Sequence, residues 1–568
     1  MSSLKRLARA IELRQPNGRP ASFWANRDLL PVPPKERKWT AINYFTFWIA
    51  DSFNVNTFMI ASSGIALGMT WWQCWLAVWI GYSISGLFLA ANAYAGAEYH
   101  IIFPAYIRAS FGPILGIWCT MNRGVMACVW YGTQAWLGGQ AFYTLILSIW
   151  PSFRHLHNGI PASGTDTAHF LCFFLFSLIS LVAIWFPIHQ IRHLFTLKAY
   201  AAPAAGIALF AICIGKAHGA GDLIHAKATV GGSTLGWAFV GSATGSIANM
   251  ATLITNSVDF ASRASKPSDV VLPQIISLPV CFAVTSLFGI LIGSASEKIF
   301  GEFVWNPLDV MERLLETYNT HGMRAGIAFI SIGFIIAQIG TNIAANSLSA
   351  GCDLTSIMPR YLNIRRGGYI AALVGFCICP WNFLKSSSNF TTYLSAYSVF
   401  LSSICGVMMS HYFFVVKRRI KVADLYHFND DGIYKYWHGI NLRALAAYLA
   451  GILINVVGFA GAVGADVSLA AQRIYTLSFL TGWPTAALTY YILCRIWPLP
   501  IPTDEEILEV PAALSGANKV VVSAPSDGSG HHHAGGADVL SLGEGDDEKD
   551  EKLDDHDSDR ARGMVEIV

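Results

Sequence analysis

The sequence predicts an all-α polytopic membrane protein with twelve transmembrane helices. Three observations carry that prediction. Of 568 residues, 54% are hydrophobic and only 13% charged, against about 25% charged in ordinary soluble domains. The charge gathers at the ends: residues 1–38 hold nine Lys/Arg against three Asp/Glu, and residues 498–568 hold five against seventeen. Between them run long stretches that are apolar on every face, such as 169–186 (HFLCFFLFSLISLVAIWF). A bilayer core about 30 Å thick takes roughly 20 apolar residues per helix, whereas a barrel strand alternates over about 10. A soluble enzyme, a nucleic-acid binder and a disordered scaffold are all excluded, and the lipid bilayer is the first partner implied.

In chain order the predicted spans are 40–67, 72–94, 114–149, 168–187, 194–215, 235–260, 270–293, 324–351, 367–384, 389–414, 442–464 and 474–497. The third is too long for one upright helix and predicts tilt. Placing the basic N-terminus inside puts fourteen Lys/Arg on inner loops, Arg108, Arg192 and Lys198 among them, and eight on outer loops. Both termini are then cytoplasmic. Segment 304–318 reads as an amphipathic outer cap, the Gly-rich 216–234 as another, and the aromatic, basic 99–112 as lying along the inner interface. The tail from about 503, rich in Gly, Ser, Asp and Glu, reads as disordered. Its Lys549 and Lys552 are candidate ubiquitin acceptors, so a ubiquitin ligase or adaptor is a possible partner of the tails. The eleven Cys lie mostly in apolar runs and read as reduced core residues, and His531–His533 as plain low complexity.

Such a chain is a secondary transporter, a channel or a membrane enzyme. No GxxxxGK[ST] phosphate loop argues for an ATP-driven pump, and no HExxH pattern argues for a metalloenzyme. No short unit repeats as a channel would require, which leaves the transporter. Polar groups inside the spans then mark the pathway. The first span carries Asp51, Asn54 and Asn56 within an apolar run, the pattern of a discontinuous helix. On the third, Trp130 and Gln134 stand four apart on one face, offering a flat stacking surface and an amide with both a donor and an acceptor. The sixth reads GSATGSIANMAT (241–252), which suits close helix packing better than a break. The eighth carries Gln338, Asn342 and Asn346, amides that need partners or a wet cavity.

The blocks NRDLLPVPPKERKW (26–39), FPAYIRASFG (103–112), VWYGTQAWLGG (129–139), NMATLITNSVDFASR (249–263), GTNIAANSLSAGCDLTSIMPRYLNIRRG (340–367), PWNF (380–383) and the inner stretch 417–439 occur in that order. In these the chain resembles the nucleobase:cation symporter-1 family, in its fungal uracil/allantoin/uridine permease branch. The resemblance implies a leucine-transporter-like fold of five plus five helices in inverted repeat. Residues 1–38 are then the N-tail, 39–215 the first repeat, 216–414 the second, 415–498 the last two helices and 499–568 the C-tail. It implies that Trp130 stacks on a heterocycle, that Gln134 and Asn346 bond its amide edge, that Asn249 on a broken sixth helix completes the pocket with Asn54 nearby, and that Tyr397 matches a gate or pocket position. Ala50, Phe53, Ala337, Gly340 and Thr341 match a sodium site, but Gly340 stands where a hydroxyl belongs and Asp51 stands beside it. That departure, like the fungal branch itself, implies a proton as coupling ion, with no cofactor. Met250 stands where some relatives carry an aromatic. The activity implied is proton-coupled import of uracil, allantoin, uridine or a related heterocycle at the plasma membrane. Related branches carry thiamine or nicotinamide riboside, and a non-transporting sensor is the reading from another class.

Overall fold

Backbone groups in lipid must find partners within their own segment, and long apolar runs without alternation do this as helices. The computed structural model describes residues 12–13, 22, 24–186, 188–219, 225–426, 428 and 432–507, and no strand occurs among them. The acidic tail from 508, with Lys549 and Lys552, lies outside the described residues, as do 1–11 and the middle of the Gly-rich 216–234.

The first predicted span is two helices, α1 (Ala41–Ser52) and α2 (Val55–Ala66), joined through Phe53 and the extended Asn54. Next come α3 (Trp71–Tyr99), α4 (Phe103–Phe111), the 37-residue α5 (Pro113–Ile149), α6 (Thr167–Trp185) and α7 (Ile188–Ala217). The second half begins with α8 (Gly232–Thr255), a short α9 (Ser257–Ala261) and α10 (Ser268–Phe300). The outer cap α11 (Pro307–Thr317) buries Leu308, Met311, Leu314 and Leu315 along one face, as an amphipathic helix should. The eighth span is α12 (His321–Thr341), a π-helical turn over Asn342–Ser347, and α13 (Leu348–Ile357). α14 (Ile364–Cys377), α15 (Ser387–Met409), α16 (Leu442–Ala462), α17 (Leu469–Thr476) and α18 (Ser478–Ile496) follow. Seven helices among the described residues are long and apolar enough to cross a membrane.

Two expectations need correction. Segment 99–112 does not lie along an interface: every residue of α4 is buried. Arg108 donates from Nη1 to the carbonyls of Trp24 and Leu425, both at 2.9 Å, so the N-terminal segment and the inner loop cover this helix. The sixth helix, by contrast, runs unbroken through 241–252, in keeping with close packing there, and its break falls at Asn256. Its small residues serve packing, since a Cβ on Gly81 of α3 would meet the Ala243 carbonyl oxygen at 2.4 Å. The ninth span is short: α14 ends at Cys377, and Pro380, without an amide hydrogen, opens a separate 3-10 turn.

Candidate substrate and coupling site

The break in the first helix is held by one side chain. Asn54 caps α2 by accepting from the Thr57 amide at 3.1 Å, and its Nδ2 donates back to the Asp51 carbonyl. Both ends of this amide are occupied by the break, although the residue also lines the cavity. Asp51 in the last turn of α1 and Asn56 in the first turn of α2 are consequently fixed on either side of an unwound backbone.

A cavity lies beside that break. It collects Asp51, Asn54, Trp130, Gln134, Asn249, Thr341 and Asn346 from the expected residues, and adds Asn56, Met250 and Phe282. Trp130 and Gln134 come from α5, and Asn346 from the π-helical turn, where Asn346 Nδ2 donates to Asn342 Oδ1 at 3.0 Å and Asn342 Nδ2 to the Tyr131 carbonyl at 3.1 Å. Single π turns inside α-helices often mark functional positions because they rotate side chains out of register. Asn249 is tied on both sides: it accepts from Asn56 Nδ2 at 2.9 Å and donates to the Tyr82 hydroxyl at 3.1 Å. Tyr397 does not line the cavity. It stands behind Trp130, rings 6.4 Å apart, with its hydroxyl on the Ala248 carbonyl at 2.8 Å. Phe282 supplies an aromatic wall where Met250 does not, and Tyr82 stacks behind it at 4.3 Å.

A side chain lies among the residues that the resemblance matches to a cation site. Lys198 of α7 is 3% exposed, and its Nζ lies 3.9 Å from Asp51 Oδ1. Its aliphatic stem fills the space over Gly340, where a Cβ would come within 2.7 Å of Lys198 Cδ. Phe53 and Ala337 pack with Ala202, one turn along α7. Ala50 is buried in the same turn as Asp51, and Thr341 presents a buried hydroxyl with no partner among the described residues. Counting Lys198 as an inner-loop charge is therefore wrong: it lies inside the bundle, opposite a carboxylate, because an unpaired buried charge of either sign is costly. The signal was its place four residues into the predicted fifth span. Asn56 was visible as one of the two amides interrupting the first span, whereas Tyr82 and Phe282 carried no comparable signal in spacing.

A helical bundle with discontinuous helices around an aromatic and amide-lined cavity is the architecture of the leucine-transporter-like inverted-repeat fold. Mhp1, a nucleobase-cation-symport-1 family transporter solved closed with bromovinylhydantoin bound, has this fold: TM-score 0.65, 23% identity, covering 85% of this chain and 98% of that one. Residues 31–482 match the family described as permeases for cytosine/purines, uracil, thiamine and allantoin, and the chain belongs to that family. It is 50% identical to an uncharacterized permease of Schizosaccharomyces pombe, over 84% of this chain and 81% of the relative. It is 43% identical to the allantoin permease and 42% to the uracil permease of Saccharomyces cerevisiae, each over 84% of this chain and 77% of the relative. The relatives are permeases, not enzymes.

Proposed function

We propose that this chain is a proton-coupled symporter that imports a small heterocycle, of the uracil, allantoin or uridine kind, across the plasma membrane. The observation that carries the reading is that Asp51 faces two ways. It lines the substrate cavity and sits 3.9 Å from Lys198 in the place of a cation site. Protonation of the carboxyl removes its attraction for Lys198 and frees α7 from α1. Loss of the proton restores the pair. A substrate beside Asp51 thus meets a different helix arrangement in each protonation state, which is what coupling requires. Trp130 stacks on the ring, Gln134 and Asn346 bond its amide edge, and Asn249 orders the wall between them. In this reading twelve helices span the membrane, 39–215 and 216–414 are the two repeats, 415–498 stand outside them, and both tails are cytoplasmic. The tails govern turnover, with Lys549 and Lys552 as ubiquitin acceptors; removing residues after 503 should slow loss from the membrane and leave substrate affinity unchanged.

Whole-cell uptake of radiolabelled uracil, allantoin and uridine tests the proposal. Uptake should fall as external pH rises, collapse with a protonophore and ignore replacement of sodium by choline. Asp51→Asn should reach the surface and still bind or exchange substrate, but fail to concentrate it. Sodium dependence, or normal accumulation by Asp51→Asn, would sink the coupling scheme, and binding without any uptake would mean a sensor.

A further inference from the structure

Two amide oxygens of residues lining the cavity have no partner among the described residues: Asn56 Oδ1 and Gln134 Oε1. Their residues are 3% and 4% exposed. Buried acceptors are nearly always paired in folded proteins, and one left open inside a ligand cavity points to the ligand. Asn56 is also held in one orientation. Its Nδ2 is engaged by Asn249 Oδ1, whose own Nδ2 is engaged by the Tyr82 hydroxyl. Tyr82 is locked by its stacking on Phe282. The chain from α3 through α8 to α2 therefore fixes the Asn56 amide by one of its N–H groups and leaves its oxygen without a partner among the described residues. The neighbouring Asn54 has no such freedom, since its amide closes the helix break.

We propose that Asn56 is a specificity-determining residue that accepts an N–H of the substrate ring. Together with Gln134, on a different helix, it selects rings with two separate N–H donors over rings in which one nitrogen carries a substituent. The inference rests on the heterocycle-transporter reading and narrows it: a free base or cyclic ureide is favoured over a nucleoside. A site built to bond an N–H rejects an analogue lacking it strongly, because the analogue leaves the buried acceptor unpaired.

The test is binding of uracil, 1-methyluracil, 3-methyluracil and uridine to the purified full chain, with hydantoin and its two N-methyl isomers in parallel. In the unsubstituted chain each N-methyl ring, and uridine, should bind roughly tenfold to a hundredfold more weakly than the parent ring. Asn56→Ala should abolish the penalty for one methyl isomer and keep the other, and Gln134→Ala should do the reverse. If Asn56→Ala does not fold, Tyr82→Phe decides the matter: it keeps Asn56 but frees its tether, and should shrink the same isomer's penalty several-fold. Unchanged penalties in Asn56→Ala, or in Tyr82→Phe where that variant decides, overturn the proposal. Equal binding of uracil and uridine overturns this inference alone, while binding of no ring at all overturns the transporter reading with it.

Discussion

The first and sixth predicted spans each break, and the two breaks are closed in opposite ways. The first, between α1 and α2, closes on itself: Asn54 takes the Thr57 amide and gives to the Asp51 carbonyl, each partner three positions away. The second, at Asn256, is closed by distant helices. Asn92 of α3 donates to the carbonyls of Ile254 and Thr255 at 2.8 and 3.0 Å. Asn256 Nδ2 reaches Asp259 Oδ2 at 3.1 Å and Ser349 Oγ at 2.9 Å, and Asp259 Oδ1 accepts the Phe103 amide at 2.6 Å. Beside it Arg123 is paired with Asp353 and donates to the Ser349 carbonyl at 2.7 Å, both charged groups being fully buried. A break that satisfies itself leaves its polar neighbours, Asp51 and Asn56, free to face a cavity. A break satisfied by its neighbours becomes a joint in the scaffold. Damage to the second should appear as lost folding, and damage to the first as lost transport.

The largest expected effect is at the ion pair of the second region. Arg123→Ala or Asp353→Ala leaves one charge buried without its partner, which costs about 3–5 kcal/mol. Neither variant should reach the cell surface in quantity, and the thermal midpoint in detergent should fall sharply. Normal surface levels would mean that the pair is solvated and that this joint is softer than its hydrogen bonds indicate. A smaller loss is expected from Asn92→Ala, which strands the Thr255 carbonyl at a cost of about 1–3 kcal/mol, while the Ile254 carbonyl keeps the Ser257 hydroxyl. That variant should be made in reduced amount, yet bind substrate with normal affinity once folded. A selective loss of affinity would place Asn92 in the site and erase the contrast between the regions.

The two breaks were not equally legible. The first announces itself, because a carboxylate and two amides interrupt an apolar run at 51–56. Trp130 and Gln134 were legible for the same kind of reason, their spacing placing a ring and an amide on one helix face. The second break falls in the modest polar cluster TNSVD (255–259), overshadowed by the glycines at 241 and 245, which serve a helix that does not break there. Lys198 was visible as a charge, but only the approach of α7 to α1 shows that it answers Asp51. The Asn56–Asn249–Tyr82 chain joins residues 193 and 167 positions apart, and no local period encodes such a contact. The burial of α4 likewise depends on Leu425, 317 residues from Arg108.

The smallest expected effect, and the sharpest probe of the contrast, is at Asn54. If its amide serves the first break, its loss is the loss of a helix cap. Asn54→Ala should then cost about 1 kcal/mol, seen as a modest drop in thermal midpoint. Transport should weaken with it, because Asp51 and Asn56 lose their fixed separation. Asn54→Ser separates this role from direct reading of the substrate. Serine caps α2 through its hydroxyl, so it replaces the bond to the Thr57 amide while giving up the reach of an amide towards a ligand. Recovery of both stability and affinity in Asn54→Ser would show that the residue acts through the backbone. Recovery of stability alone, with affinity still low, would return Asn54 to the substrate-binding set, and the first break would then be a recognition element as well as a hinge for the groups around it.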